Sequence, residues 1–432
     1  MGVFSHLHLQ AGRAGWCARL SDCLDGGPLC PPEIRQACGT REKRQRQALS
    51  PETPLSIAHV DTGHELRGGQ RQLLLLAHGL RERGHSQLIV CPEASELRAH
   101  AEADGFPVLA LPQNDFKHFK GIRELRQRLN GTGPMLLHAH DGVGQTVSWL
   151  ASFGTRVRRI ATRRVTYLPK RRIDYRLKYR HTCHAVVAVS LFVGRILEEA
   201  GVPPGMINVI PDGIEIPERL PDSVSRRAAR AGWRLDESEF VIGHLGGISK
   251  EKGYDLALKA LEILSDRLPN ARMVLGGKIS IEDLAASPLA TAVASGQVLL
   301  SGYQEDLFEL FSGLDIYIMP SRSEGLGSSA LMAMAHALPV IATRVGGLPE
   351  IVEDGKTGWL VAPESADALA QAIAAAASNP ERLKELGSNA RLRSMEFSAD
   401  RMVERTEALY RRLITPGQAH QAATSQRMRA SG

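Results

Sequence analysis

The sequence predicts an α/β protein of two doubly wound, Rossmann-like domains facing each other across a cleft. Three observations predict it. Short, continuous apolar runs recur along the chain with helical segments between most of them, as in parallel strands buried on both faces. The alternation breaks once, over a stretch rich in proline and charge from Asp212 to about Asp236, and then restarts. The length, 432 residues, is too great for one ordinary core, and it suits two of roughly 150–200 residues each. Tandem sheets of this kind place a ligand cleft at the carboxyl ends of their strands.

Residues 1–52 stand apart. They hold four of the six cysteines (Cys17, Cys23, Cys30 and Cys38), without a CxxC pair or zinc-type spacing, and end in the basic run Arg41–Arg46. No apolar core of a signal peptide is present, so a disordered extension is expected there. Order is expected from Leu55-Ser-Ile-Ala-His-Val60, a short strand ending in the glycine turn Arg67-Gly68-Gly69. A helix with Leu73, Leu76, Ala77 and Leu80 on one face follows. Further strands are read at 88–91, 108–111, 135–138, 159–162 and 185–189, completing an N-terminal domain over 53–214. The second domain, 215–397, opens with Phe240–Leu245 and helix Tyr254–Arg267, with strands at 272–275, 298–300, 315–319, 339–342 and 359–361. A terminal amphipathic helix (398–414) and a disordered tail (415–432) complete the expectation.

Composition narrows the function. Hydrophobic content of 43% and charged content of 23% are those of a water-soluble globular chain. No apolar stretch approaches the ~18 residues of a membrane span. Aromatics at 5% argue against stacking platforms for nucleic acid. Cys91 and Cys183 sit beside apolar runs and read as buried thiols, which agrees with a reducing cytoplasm. The excess charge of +6 concentrates between Arg156 and Arg180, where Arg163, Arg164, Arg171 and Arg172 stand among Tyr167, Tyr175 and Tyr179. One reading is a solvated helix face. The other is a surface for anionic headgroups or a phosphorylated glycolipid, with peripheral attachment to the inner face of the cytoplasmic membrane. No nucleic-acid motif accompanies the charge.

The segment with most chemistry is Pro320-Ser-Arg-Ser-Glu324-Gly325-Leu326-Gly327, which leads into an alanine-rich helix, followed by Pro339-Val-Ile-Ala-Thr-Arg-Val-Gly-Gly-Leu-Pro-Glu350. A carboxylate between a strand end and a glycine turn suits sugar hydroxyls, and the amides of Gly325, Leu326 and Gly327 suit phosphate or sugar oxygens. Gly325-x-Gly327-x-x-Ala330 also satisfies the dinucleotide fingerprint. Glu324 would then lie beside the pyrophosphate, and the loop is too long for the tight turn.

These residues resemble the retaining glycosyltransferases of family 4, from about Leu55 to Leu413. The resemblance implies the GT-B fold and a nucleoside diphosphate sugar as co-substrate, with no cofactor. Glu324 matches the family's first glutamate, implied to hold the donor sugar. The second, eight positions on, falls on Met332, which cannot grip a ribose. In Gly246-Gly-Ile-Ser-Lys-Glu-Lys-Gly253, Lys252 matches the diphosphate lysine, while the arginine position is Gly247. Lys250, Arg163 or Arg164 is then the candidate to supply the missing charge. His140, in Leu136-Leu-His-Ala-His-Asp141, matches a histidine implied to contact the donor sugar, and His138 reads as structural. Gly68 and Gly69 match the glycine loop near the diphosphate. Ser190 and Ile210-Pro-Asp-Gly213 match as scaffold.

The chain contains no Asp-x-Asp, the paired carboxylates that hold a divalent metal in the other large glycosyltransferase architecture. The expected function is thus metal-independent, retaining transfer of a sugar to a glycan or glycolipid acceptor, as in bacterial cell-envelope polysaccharide or lipopolysaccharide synthesis, with Glu324, His140 and Lys252 as catalytic residues. Two alternatives stand beside it: a catalytically degenerate paralogue that binds a glycan or partner, which Met332 and Gly247 motivate, and another nucleotide-sugar enzyme on the fold, an epimerase or phosphorylase.

Overall fold

The computed structural model describes residues 53–415, apart from 113–118, 130–135, 168–171, 278, 280–288 and 305; for 172–176 it describes the backbone only. The expectations for 1–52 and for the tail beyond 415 fall outside these residues.

Apolar runs form two parallel sheets. The first comprises β1 (Ser56–Val60), β2 (Ser86–Pro92), β3 (Val108–Leu111), β4 (Leu136–Ala139), β5 (Arg158–Arg163), β6 (Ala185–Ala188) and β7 (Ile207–Val209). Its order is β3-β2-β1-β4-β5-β6-β7. The second comprises β8 (Phe240–Leu245), β9 (Ala271–Gly276), β10 (Val298–Gly302), β11 (Ile316–Met319), β12 (Val340–Thr343) and β13 (Gly358–Val361). Its order is β10-β9-β8-β11-β12-β13. In each sheet the strand order reverses beside the first strand, between β1 and β4 and between β8 and β11. A crevice forms at the carboxyl ends of strands where connections leave in opposite directions. Of the expected site residues, His140 follows β4, Lys252 follows β8 and Glu324 follows β11.

The central strands are buried throughout, with Ile57, Val60, Leu136 and Leu137 on one sheet and Val241, Ile242, Ile316 and Ile341 on the other at or below 1% exposure. Covering helices on both faces explain why these strands read as continuous apolar runs rather than alternating ones.

The last helix, Ala399–Ile414, returns to the first sheet. Met402, Val403, Thr406, Leu409 and Tyr410 form its buried face. Gly79, on helix Gly68–Glu82, lacks the Cβ that would lie 2.5 Å from Val403, so the two helices meet at small-residue distance. Tyr410 is fully buried and its hydroxyl hydrogen-bonds His138 Nδ1.

Candidate functional site

Glu324 lies in the loop between β11 and helix Ser328–Ala335, and Lys252 ends the turn Lys250–Lys252 after β8. Lys252 Nζ donates to Glu324 Oε2 at 2.7 Å, with the side chains 30% and 17% exposed. Three features set this contact. Gly253 adopts φ +70°, and a Cβ there would lie 2.0 Å from the Pro320 carbonyl oxygen, so only glycine lets the lysine turn press against the end of β11. Gly346 (φ +56°) lies directly under the loop, where a Cβ would sit 1.9 Å from the Glu324 backbone carbonyl oxygen, and Gly347 N donates to that carbonyl at 3.1 Å. Arg322 binds both oxygens of Asp255 at 2.7 Å, Glu364 at 2.6 Å and the Lys250 carbonyl at 2.7 Å. That arginine clamps the two loops together; sequence reading passed over it, although it stands two residues before Glu324.

The glycines of the Glu324 loop serve protein contacts more than expected. A Cβ on Gly325 would lie 2.2 Å from the Arg164 carbonyl oxygen, and one on Gly327 (φ +104°) would meet Leu348 at 2.6 Å. Leu326 is buried. No side chain caps the helix that begins at Ser328, so its first amides keep their affinity for an anion or hydroxyl. Gly68 and Gly69 open helix Gly68–Glu82 itself instead of forming a turn before it. A Cβ on Gly68 would meet nothing within 4 Å, while one on Gly69 would lie 3.9 Å from Arg164 Cδ.

Register brings the histidines together, since His59 of β1 pairs with His138 of β4. His140 extends the same ladder by donating its N–H to Val60 O at 2.9 Å. Gln87 Oε1 accepts from His59 Nε2 at 2.7 Å. His59 Nδ1 therefore accepts from His140 Nε2 at 3.1 Å, and His140 Nδ1 is left as a buried acceptor with no hydrogen-bond partner. His138 is engaged on both nitrogens by the hydroxyls of Tyr410 and Thr162, which is the structural role expected of it. Among the described residues, these three histidines alone bring ligand atoms of His, Cys, Asp or Glu within 4.8 Å of one another. Five of their six ring nitrogens are already hydrogen-bonded, short of the three ligands a catalytic zinc requires.

Burial holds these rings neutral. It lowers His59 and His244 to about 4 and His138 and His140 well below the ordinary value. The unfolded chain protonates each near 6.5, so between pH 6.5 and 4 the unfolded state binds more protons and folding stability falls as pH falls. The expected loss is roughly 3 kcal/mol for each of His59 and His244 by pH 4. Urea midpoints measured across this range check it, and a flat profile down to pH 4.5 would refute it.

The basic segment divides into buried and exposed residues. Arg163 was a surface candidate, but it is only 5% exposed: as the last residue of β5 it is drawn into the fold, donates to the Tyr167 carbonyl and stacks over that ring. Arg164 Nε binds Asp212 Oδ1 at 3.0 Å and Oδ2 at 3.3 Å. Burial raises the Asp212 pKa, against the pull of Arg164. Tyr179 is core, and Tyr167 is 61% exposed. Arg171 lies outside the described residues, and Arg172 is the first residue of helix Arg172–Thr182. Lys250 is exposed. Met332 is half-buried and packs against the core beneath helix Ser328–Ala335.

Contacts between the two halves converge on the same loop. Ser190 caps helix Leu191–Glu199 and donates to the Gly325 carbonyl at 2.7 Å. Glu350 accepts from the amides of Leu191 and Phe192 at 2.7 and 2.8 Å, filling the positive end of that helix. Thr166 and Ser323 hydrogen-bond through their hydroxyls.

Two family models match end to end along the chain: Glycosyltransferase Family 4 over residues 66–217 and Glycosyl transferases group 1 over residues 225–393. A D-inositol 3-phosphate glycosyltransferase of Mycobacterium avium is 34% identical over 220 residues, 49% of this chain and 50% of that protein. A GDP-mannose-dependent alpha-(1-6)-phosphatidylinositol monomannoside mannosyltransferase of Mycolicibacterium smegmatis is 28% identical, with 74% of this chain and 88% of the relative aligned. The chain spans about half the length of the first curated relatives it matches. In fold it resembles the HepE protein of Anabaena, solved in complex with UDP-glucose, with TM-score 0.72 and 20% identity over 82% of this chain and 99% of that one. The two matched models and the paired parallel sheets place the chain in family 4 of the glycosyltransferases, with the GT-B fold.

Proposed function

We propose that the protein transfers a sugar from a nucleoside diphosphate sugar to a glycan or glycolipid acceptor, with retention at the anomeric carbon and without a metal ion. The observation that carries this reading is the Lys252–Glu324 pair at 2.7 Å, set where strand ends meet an uncapped helix start. Lys252 neutralises the departing diphosphate, Glu324 accepts from sugar hydroxyls, and the bare Nδ1 of His140 accepts one more. The activities of the relatives, a mannosyl transfer from GDP-mannose among them, support the class of donor. Purified protein incubated with UDP-, GDP- and ADP-sugars and glycolipid acceptors, in the presence of a chelator, is expected to release the nucleoside diphosphate. NMR of the product reads the anomeric configuration. If every nucleotide sugar stays intact, Met332 and Gly247 point instead to a binding paralogue.

The acceptor side supports a site at an anionic membrane surface on the cytoplasmic face. Val143 and Leu150 on helix Gly142–Ala151, with Phe153 and Leu177 beside them, are 43–65% exposed. Lys178 bonds the Gly142 carbonyl at 2.8 Å, which sets the basic helix against this apolar face. Apolar side chains flanked by lysine and arginine suit headgroup contact. Among the described residues no helix is long and apolar enough to cross a membrane. Cosedimentation with anionic but not zwitterionic vesicles is the expected result, and equal recovery with both would discard it.

A further inference from the structure

A nucleoside diphosphate brings at least two negative charges into the site, and Lys252 is already shared with Glu324. Gly247, on the same loop, contributes no side chain. Three other cations stand as candidates, and the structure separates them. Lys250 is exposed. Arg163 is buried and committed to the carbonyl and ring of Tyr167. Arg164 differs from both.

It leaves β5 at its carboxyl end, next to the β1–β4 reversal. Asp212 takes its Nε with both oxygens, which fixes the plane of the guanidinium. Its Nη1 is buried and has no hydrogen-bond partner. Its side chain passes 3.9 Å from where a Cβ of Gly69 would stand, and its carbonyl lies 2.2 Å from the corresponding point on Gly325. Arg164 is thus wedged between the start of the first helix and the loop that carries Glu324. Few buried donors go without an acceptor, because an unmet one is costly to keep. A donor left unmet by the protein and aimed from a locked guanidinium is a place for a ligand oxygen.

We propose that Arg164 is the second cation of the donor site, its Nη1–H donating to a diphosphate oxygen while Asp212 serves as its positioning residue. In the transfer, the anomeric carbon exchanges its bond to the diphosphate oxygen for one to the acceptor oxygen. The departing oxygen keeps the electron pair and the acceptor's proton passes to it, so Arg164 and Lys252 together meet the charge that develops there. This assignment rests on the nucleotide-sugar reading.

The test is calorimetric titration of the full chain with UDP, GDP and ADP and with the matching nucleosides. The wild type is expected to prefer at least one diphosphate over its nucleoside. Arg164→Gln should weaken that diphosphate at least tenfold and leave the nucleoside unchanged. Gly247→Arg, added to Arg164→Gln, should restore most of the loss. A Cβ at position 247 would meet nothing within 4 Å, and one on its neighbour Gly246 would lie 3.7 Å from the Lys252 side chain. A merely structural role would weaken nucleoside and diphosphate alike and would not respond to Gly247→Arg. Should Arg164→Gln fail to fold for want of a partner to Asp212, the double variant Arg164→Gln/Asp212→Asn carries the same comparison. Undiminished diphosphate affinity in either variant, with the wild-type preference intact, overturns the role of Arg164 alone. No diphosphate preference in the wild type overturns both this role and the nucleotide-sugar reading.

Discussion

Glu324→Gln is expected to lower sugar transfer by about 100-fold or more while leaving the fold intact. The substitution keeps the shape of the side chain, and it leaves untouched the backbone carbonyl that rests on Gly346 and accepts from Gly347 N. It removes the charge that strengthens each hydrogen bond from a sugar hydroxyl, and charge-assisted bonds are about twice as strong as neutral ones. The stability cost is small, because the partner Lys252 is 30% exposed and can turn to water. Lys252→Ala offers the matching comparison, with turnover expected to fall about ten-fold or more on the proposed role of the lysine, which is to meet charge that appears chiefly in the transition state. Transfer within threefold of wild type in Glu324→Gln would remove that residue from the site. A melting temperature lowered by more than a few degrees would instead make it a fold residue.

Met332→Glu is expected to tighten donor binding. A methionine at this position cannot accept from a ribose diol, and a charge-assisted bond of that kind is worth roughly 1.5–3 kcal/mol, or about 10- to 150-fold in affinity. The side chain is half-buried one turn into helix Ser328–Ala335, so a carboxylate there keeps a route to water. The opposing force is its packing against the core below, where an unpaired charge is costly. Calorimetry of both proteins with the best-bound nucleoside diphosphate measures the balance. Weaker binding or loss of folding in Met332→Glu would make position 332 part of the core.

Both predictions depend on residues whose roles were legible at different depths. Central strands such as Phe240–Leu245 were readable because burial on both faces makes them continuous apolar runs. β7 was not, since its three residues, Ile207–Val209, are half-buried or exposed at a sheet edge. Helix Ser223–Gly232, inside the stretch read as a break, was hidden for another reason: its buried residues are Ala229 and Arg230. Arg230 is 1% exposed, bound to Asp315 at 2.7 Å and to the carbonyls of Gly313, Asp236, Glu237 and Glu239. Apolar periodicity cannot register an arginine satisfied in this way.

The site shows the same division. Loop spacing marked Glu324 and Lys252, and the Gly253 and Gly346 contacts that join them follow from positive φ values that glycine alone adopts freely. Asp212 was read as scaffold, because nothing in Ile210-Pro-Asp-Gly213 reveals that Arg164, 48 residues earlier, returns to it. The histidine relay was invisible for a similar reason: Gln87, His59 and His140 come from three strands and meet only through register.

The contacts that Ser190 and Glu350 make across the two halves have a thermodynamic consequence. Ser190 holds the carbonyl of Gly325, and the chain carrying Glu350 begins at the glycines under Glu324. Separating the halves breaks these bonds, so the free energy of opening includes that of loosening the loop. Linkage makes the term reciprocal: whatever steadies Glu324 in its bonded geometry favours closure by the same amount. On the proposed function, a donor that grips the loop is expected to favour contact between the halves, and loss of the nucleoside diphosphate to weaken it.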